Sequence, residues 1–313
     1  MAKRRRRRDE RAGPSGFLVV DKPVGWTSHD VVDAARHWLG TRRVGHLGTL
    51  DPSATGVLPL AVREATKLVP FLAGGSKVYR GCIRLGVETE TFDAEGEITR
   101  RFEGVLPEIE VVQAAMALFV GEVKQIPPMY SAVKHQGVPL YRLARRGVEV
   151  ERATRTVRIE RFELLGYTPP NLEIEVVCSP GTYVRVLAVD LGVRLGCGAH
   201  LAALRRTRNG PFRDEQVLAV DVLEAEAAQG AVDKRVIPPL DPLDFPRAHL
   251  NFQEVRNITY GGMVPGGRHA VGMLPGTFFA GVSPEGRLLA VLELRPDRQL
   301  APLRVFPQIA ASE

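Results

Sequence analysis

Residues Gly45–Leu60 read GHLGTLDPSATGVLPL, and the fold hangs on how that stretch is built. Gly45 and Gly48 permit backbone shapes closed to most residues, and Pro52 biases Asp51 away from the helical region. The apolar run Val57–Val62 has the length and content of a buried strand. Asp51 is therefore a single carboxylate on a stiff loop beside a core element, with His46 close by. Such an acid can serve as a nucleophile. An Asp-Pro pair also begins an ordinary turn, and spacing alone leaves both readings open.

Upstream, FLVVDKPVGWTSHD (17–30) predicts a short strand, a Pro/Gly turn and a helix capped by Ser28. Val31, Val32, Ala35, Trp38 and Leu39 keep helical spacing up to a stop at Gly40. Downstream, Lys77–Val87 reads as a strand, and Pro107 opens an apolar helix reaching about Phe119. Thr156–Leu165 and Leu172–Cys178 read as two more strands. Val184, Leu187, Ala188, Leu191 and Leu195 then share one helix face that ends at Gly196.

Between the helix at Pro107 and the strand at Thr156 the composition changes. PPMYSAVKHQGVPLYRLARRG (127–147) mixes cations with rings, including Tyr130, Lys134, Tyr141, Arg142 and Arg145. Cations meet phosphates, and flat rings or guanidinium planes stack on splayed bases, so the segment suits RNA; a solvated charged loop is the plainer alternative. Beyond Pro238, PPLDPLDFP reads as a linker, and Gly- and Pro-punctuated apolar runs such as GTFFAGV and RLLAVLEL predict a small all-β module.

The 313 residues suffice for about two domains, and 44% hydrophobic with 25% charged residues is an ordinary globular balance. The formal charge of +6 resides in the six cations of Lys3–Arg8, KRRRRR, so the rest of the chain is formally neutral. That run reads as a disordered arm with salt-sensitive phosphate affinity or simply as a solvated extension. Cys82, Cys178 and Cys197 lie far apart, which argues against a disulfide framework and a cysteine zinc site. No apolar run approaches the ~20 residues that span a bilayer, and no apolar segment of a secretory signal follows the basic start, so a cytoplasmic location is expected.

Four separated blocks stand in one order: DKPVGWTSHD (21–30), GHLGTLDPSATGVLPL, KVYRGCIRLG (77–86) with TFDAEGE (91–97) behind it, and CSPGTYVRVLAVDLG (178–192). In these blocks the chain resembles the tRNA pseudouridine synthase B (TruB) family, the bacterial tRNA pseudouridine-55 synthases. The resemblance runs from about Gly16 to Phe212, takes in the basic insertion, and leaves a tail that looks like a PUA module.

That resemblance implies an α+β, mixed α/β fold: a pseudouridine synthase catalytic domain on a mixed, largely antiparallel sheet, then a small β-rich PUA-like domain. The expected division is a basic arm over 1–15, a catalytic domain over 16–240 with an insertion at about 124–156, and the PUA-like domain over 241–313. It implies isomerisation of uridine 55 in the T-loop of tRNA, a reaction without net redox that calls for neither cofactor nor metal. The T-arm of tRNA is the expected partner, with no membrane, no obligatory protein partner and a monomeric state.

By the same resemblance Asp51 is the catalytic aspartate, acting on the base or at the sugar, and Arg185 is its charge partner. Tyr79 stacks on the target base and serves proton transfer at C5, while His46 organises the T-loop around the extruded nucleotide. Asp93 is an acid near the pocket that bonds the base or another site residue, and Lys22 and Lys77 are supporting residues with phosphate or loop-positioning roles. Tyr130, Lys134, Arg142 and Arg145 are RNA contacts, and Arg205, with Arg206 and Arg208, meets the RNA backbone or neutralises nearby acids. Two rivals stand beside this reading. One is an RNA-binding or tRNA-folding module that does not depend on catalysis, and the other is a guide-RNA-dependent relative of the archaeal and eukaryotic type.

Overall fold

The computed structural model describes residues 13–306, so the basic run and its reading as an arm lie outside the described residues. In chain order the first half contains β1 (Gly16–Lys22), α1 (Ser28–Trp38), β2 (Val44–His46), β3 (Thr55–Val62), α2 (Val69–Leu72), β4 (Lys77–Leu85), β5 (Val87–Thr89), β6 (Ile98–Arg101), α3 (Ile109–Ala117) and β7 (Gly121–Gln125). The insertion supplies a small hairpin, β8 (Lys134–His135) and β9 (Val138–Pro139), and the short helix α4 (Leu140–Ala144). Then follow β10 (Arg155–Thr168), β11 (Asn171–Cys178), α5 (Val184–Arg194), β12 (Ala199–Asn209), β13 (Phe212–Arg213) and α6 (Val220–Ala228). The C-terminal part holds β14 (Arg247–His249), α7 (Phe252–Thr259), β15 (Val264–Pro265), β16 (Phe278–Val282), β17 (Leu288–Leu294) and β18 (Gln299–Val305).

A nine-stranded sheet runs β1-β3-β12-β4-β11-β10-β7, with β2 on β3 and β13 on β12. Its pairings are antiparallel except β12 with β3, where Arg205 faces Thr55 and Arg206 faces Gly56. The mixed, largely antiparallel sheet expected from the sequence is therefore present. A second sheet, β14-β16-β17-β18-β15, forms the C-terminal β-rich module.

Alternation explains why β1 and β3 are apolar without a polar face. Leu18, Val20, Leu58, Leu60 and Val62 point into the main core. Phe17, Val19, Val57 and Ala61 point the other way, into a second core shared with Leu243, Ala280, Leu288, Val291 and Phe306. Strands buried on both faces read as continuous hydrophobic runs.

Several local expectations shift. The cap of α1 is Thr27, whose side chain accepts from the backbone of Asp30 while Asp30 returns a bond to Thr27; this leaves the Ser28 hydroxyl free for another task. Gly86, at φ +80°, ends β4 before Val87 and splits the strand expected over 77–87. Helix α3 starts at Ile109, with Glu108 as its cap. Helices α6 and α7 were not anticipated, and α7 means the C-terminal module is not all-β. The Pro238–Pro246 stretch read as a linker is packed, with Leu243 buried and Phe245 edge-on to Phe71 and Phe278. Among the described residues no helix is long and apolar enough to cross a membrane.

Candidate active site

Asp51 sits on the loop that joins β2 to β3, and that loop is held from behind carbonyl by carbonyl. Asn209 Nδ2 donates to the Leu47 carbonyl at 2.8 Å. Arg206 donates to Gly48 at 3.1 Å and to Thr49 at 3.2 Å. The Ser28 hydroxyl donates to Leu50 at 3.1 Å and accepts from the Leu50 amide at 2.8 Å. The Ala54 amide donates to the Asp51 carbonyl, and Lys22 Nζ and the Gly25 amide donate to Pro52. A loop whose carbonyls are paired in succession from Leu47 to Pro52 has little freedom to collapse, and its one carboxylate keeps a fixed direction.

The carboxylate meets Arg185, which projects from the first turn of α5, at 3.0 Å. Arg185 is only 4% exposed and has further partners: Asp93 at 3.7 Å, the Thr91 carbonyl at 3.3 Å and the Tyr130 carbonyl at 2.6 Å. Its guanidinium also lies 5.9 Å from the ring centre of Tyr183. Asp51 keeps 37% of its side-chain surface open, but from the floor of a cleft with dense walls. Burial raises its pKa above the ordinary carboxylate value, Arg185 opposes that shift, and Asp93 adds to it.

Two clefts meet at Asp51. The inner one, about 370 Å³, is lined by Tyr79, Lys77, Tyr183, Leu204 and Arg206. The outer one, about 500 Å³, is lined by His46, Asp93, Tyr130, Tyr141 and Arg145. Both share Thr49, Leu50, Asp51, Ala132 and Arg185, so Ala132 of the insertion forms part of the wall over the acid. Each volume lies in the range of small-molecule sites, about 300–1,000 Å³.

Tyr79, at the middle of the sheet on β4, is 7% exposed, and burial raises its phenol pKa. It is a neutral ring at the inner cleft. Burial also lowers the pKa of His46, helped by Arg206 and His29; its Nδ1 accepts from the Gly48 amide. Asp93 is buried and accepts from the Thr91 hydroxyl and the Glu95 amide. Tyr130 donates to Glu90, and Tyr141 carries Arg142 and Arg145 at 5.9 and 5.7 Å from its ring centre.

The remaining expectations divide. Lys22 and Lys77 are buried, and burial pushes each down to a pKa of about 8. Their ammonium groups hold backbone: Lys22 binds the carbonyls of Pro23, Trp26 and Pro52, and Lys77 those of Ala73 and Gly75. They fit loop positioning, not phosphate contact. Arg205 is bridged to Asp21 on β1 and to Asp214 in the turn after β13, the acid-neutralising arrangement. Arg208 is tied to Ser76. Lys134 and Arg142 are exposed but line neither cleft.

Sequence reasoning passed over four contributors: Ser28, Asn209, Tyr183 and the loop-holding role of Arg206. One signal was available for Arg206. Adjacent residues on a strand point to opposite faces, so Arg205 and Arg206 could not both have met the same RNA. Among the described residues no cluster of His, Cys, Asp and Glu is arranged to hold a metal ion.

Known proteins similar to this chain share a family. Residues 36–184 match the model of the TruB family pseudouridylate synthase N-terminal domain, and residues 185–244 match that of the tRNA pseudouridylate synthase B C-terminal domain. The tRNA pseudouridine synthase B of Aromatoleum aromaticum is 42% identical over 98% of this chain and 97% of its own. That of Thermobifida fusca is 43% identical over 90% and 94% respectively. Among solved structures, a chain of a Cbf5-Nop10-Gar1 complex superposes with TM-score 0.69 at 29% identity, covering 93% of this chain and 84% of that one. A chain of an H/ACA RNP bound to a substrate RNA containing 2'-deoxyuridine gives TM-score 0.70 at 26% identity, covering 93% and 85%.

Proposed function

This chain belongs to the TruB family of pseudouridylate synthases, and from that premise we propose that it isomerises uridine 55 in the T-loop of tRNA, with Asp51 as the catalytic carboxylate. The C1′–N1 bond of the nucleotide breaks, the uracil turns, and a C1′–C5 bond replaces it. The hydrogen on C5 leaves as a proton, and N1 takes one up, so atoms and charge balance without net redox. Asp51 acts as an ionised carboxylate. Arg185 holds it in orientation with a planar fork that an ammonium group could not match.

The observation that carries this reading is the position of the Asp51–Arg185 pair where the two clefts meet. Tyr79 stacks on the turning base in the inner cleft and exchanges the C5 proton through its hydroxyl. His46, neutral near pH 7, fills the outer side when the nucleotide flips out of its stack. Tyr130, Tyr141 and Arg145 receive the T-arm there, with Lys134 and Arg142 further out along the backbone. We place the reaction in the cytoplasm, on tRNA, with a monomeric enzyme and no guide RNA.

The test is tritium release from [5-³H]uridine-labelled tRNA by the purified protein. Wild type is expected to release one equivalent per tRNA, and Asp51→Asn to be slower by at least about 10⁴-fold with tRNA binding retained. Wild type that releases no tritium from any tRNA would sink the proposal. The likeness to a chain of an H/ACA RNP bound to a substrate RNA gives a second reading, a guide-dependent enzyme; the same assay without guide RNA decides between them. A catalysis-independent folding role predicts instead that Asp51→Asn refolds tRNA as well as wild type does.

A further inference from the structure

Arg206 ranks first by volume among the fully buried side chains, at 0% exposure. No step of the isomerisation set out above makes use of it. Its Nε donates to the Val57 carbonyl at 2.8 Å, Nη1 to Thr49 at 3.2 Å and Nη2 to Gly48 at 3.1 Å. The side chain also lines the inner cleft together with Tyr79. Register explains this reach: on β12, Arg206 stands opposite Tyr79 of β4 on one side and Gly56 of β3 on the other. Gly56, at φ +99°, has no Cβ, and one placed there would lie 2.3 Å from the Arg206 carbonyl. The crossing that seats Arg206 therefore requires glycine.

Arg206 also has no carboxylate partner among the described residues. A buried charge without a counter-ion is costly, and a scaffold needing only to pair carbonyls would do so with a neutral amide, as Asn209 does for Leu47. A planar fork does something an amide cannot: it spans the loop and the neighbouring strand from one rigid group.

We propose that Arg206 is a positioning residue that fixes the Asp51 loop against Tyr79, so that carboxylate and ring close on the same nucleoside. The proposal rests on the isomerase reading above. Without the fork, the loop keeps Ser28, Lys22 and the Asn209 bond to Leu47 but loses the ties at Gly48 and Thr49, the ones nearest the acid. The acid and the ring then sample separations at which only one of them engages the base.

The experiment compares wild type, Arg206→Lys and Arg206→Gln. Single-turnover tritium release is measured with protein in excess over [5-³H]uridine-labelled tRNA, alongside tRNA Kd, thermal melting and amide exchange at Leu47 and Leu50 in the free protein. Both variants are expected to lose about 100-fold in single-turnover rate, with Kd changed by no more than about threefold. Amide exchange in the loop is expected to quicken about tenfold or more, as a local opening would. Arg206→Gln removes an uncompensated buried charge and is expected to melt near the wild-type temperature. In a Tyr79→Phe background the same substitution should cost less, because the two side chains act together.

Rates within threefold of wild type would overturn the proposal. So would a loss that follows only the folded fraction and adds to that of Tyr79→Phe, or failure of both variants to fold, since either assigns Arg206 to the scaffold alone. If wild type releases no tritium, the isomerase reading falls, and loop exchange still decides whether Arg206 holds the loop.

Discussion

A carboxylate in a cleft is useful only in one charge state, and the neighbours of Asp51 set where that state begins. Burial raises its pKa, Arg185 lowers it and Asp93 raises it. In the proposed reaction ionised Asp51 is the active form, so activity is expected to fall as pH drops through a value above the ordinary 3.8 for this side chain. Asp93→Asn removes the opposing negative charge and is expected to move the acid limb of single-turnover rate against pH downward. Arg185→Gln removes the favourable cation and is expected to move it upward while lowering the plateau by about 100-fold or more. Stopped-rate tritium release across pH 4.5–8 at about 0.1 M salt checks both signs. A limb that stays fixed in both variants would mean the profile reports a group other than Asp51.

At the scale of elements, the turn before α1 and the loop before β3 are one device, tied through Ser28, Lys22 and Gly25. Thr27 caps the helix and Ser28 serves the loop. Thr27→Ala is therefore expected to cost about 1 kcal/mol of stability with little effect on turnover. Ser28→Ala should cost a similar amount of stability but slow single-turnover release about tenfold, because it frees Leu50 beside the acid. Denaturant titration together with the tritium assay separates the two.

This is also where the sequence was least legible. Periodicity gives Val31, Val32 and Ala35 their helix, but two adjacent hydroxyl residues make equally good caps on paper, and only the partner 22 residues on distinguishes Ser28. The strand run Val57–Val62 was legible as an unbroken apolar run buried on both faces, β10 and β11 by their β-branched and apolar content, and α5 by the apolar stripe of Val184, Leu187, Ala188 and Leu191. Helix α6, with only Leu223 buried, carries no such stripe. For the site, ordered motifs exposed Asp51, Tyr79 and Arg185. Asn209 and the buried role of Arg206 depend on β12 lying against β3, a long-range pairing that no local pattern announces.

Over the whole molecule, the C-terminal module is part of the scaffold behind the active loop. Leu47, the first loop residue, is 2% exposed and shares a core with Phe17, Val57, Leu72 and Phe212 from the catalytic side and with Leu243, Leu288, Val291 and Phe306 from the C-terminal side. Lys67 adds a bond to the Val305 carbonyl at 2.8 Å. Removing residues 241–313 would thus uncover an apolar face directly beneath the segment that carries Asp51, besides deleting any RNA contact the module makes. The expected outcome is a protein that melts at least about 10 °C lower, since each kcal/mol lost is worth roughly 2–4 °C in a domain of this size. Its single-turnover rate should fall even at saturating tRNA. Point substitution isolates the core from the RNA surface: Val291→Ala, buried in β17, should lower stability by about 1–3 kcal/mol and leave tRNA Kd unchanged. It should also quicken amide exchange at Leu47, on the other side of the shared core. Calorimetry with residue-resolved exchange reads these effects together. Two separate melting transitions, with Leu47 indifferent to Val291→Ala, would show instead that the module is an appendage whose contribution ends at RNA binding.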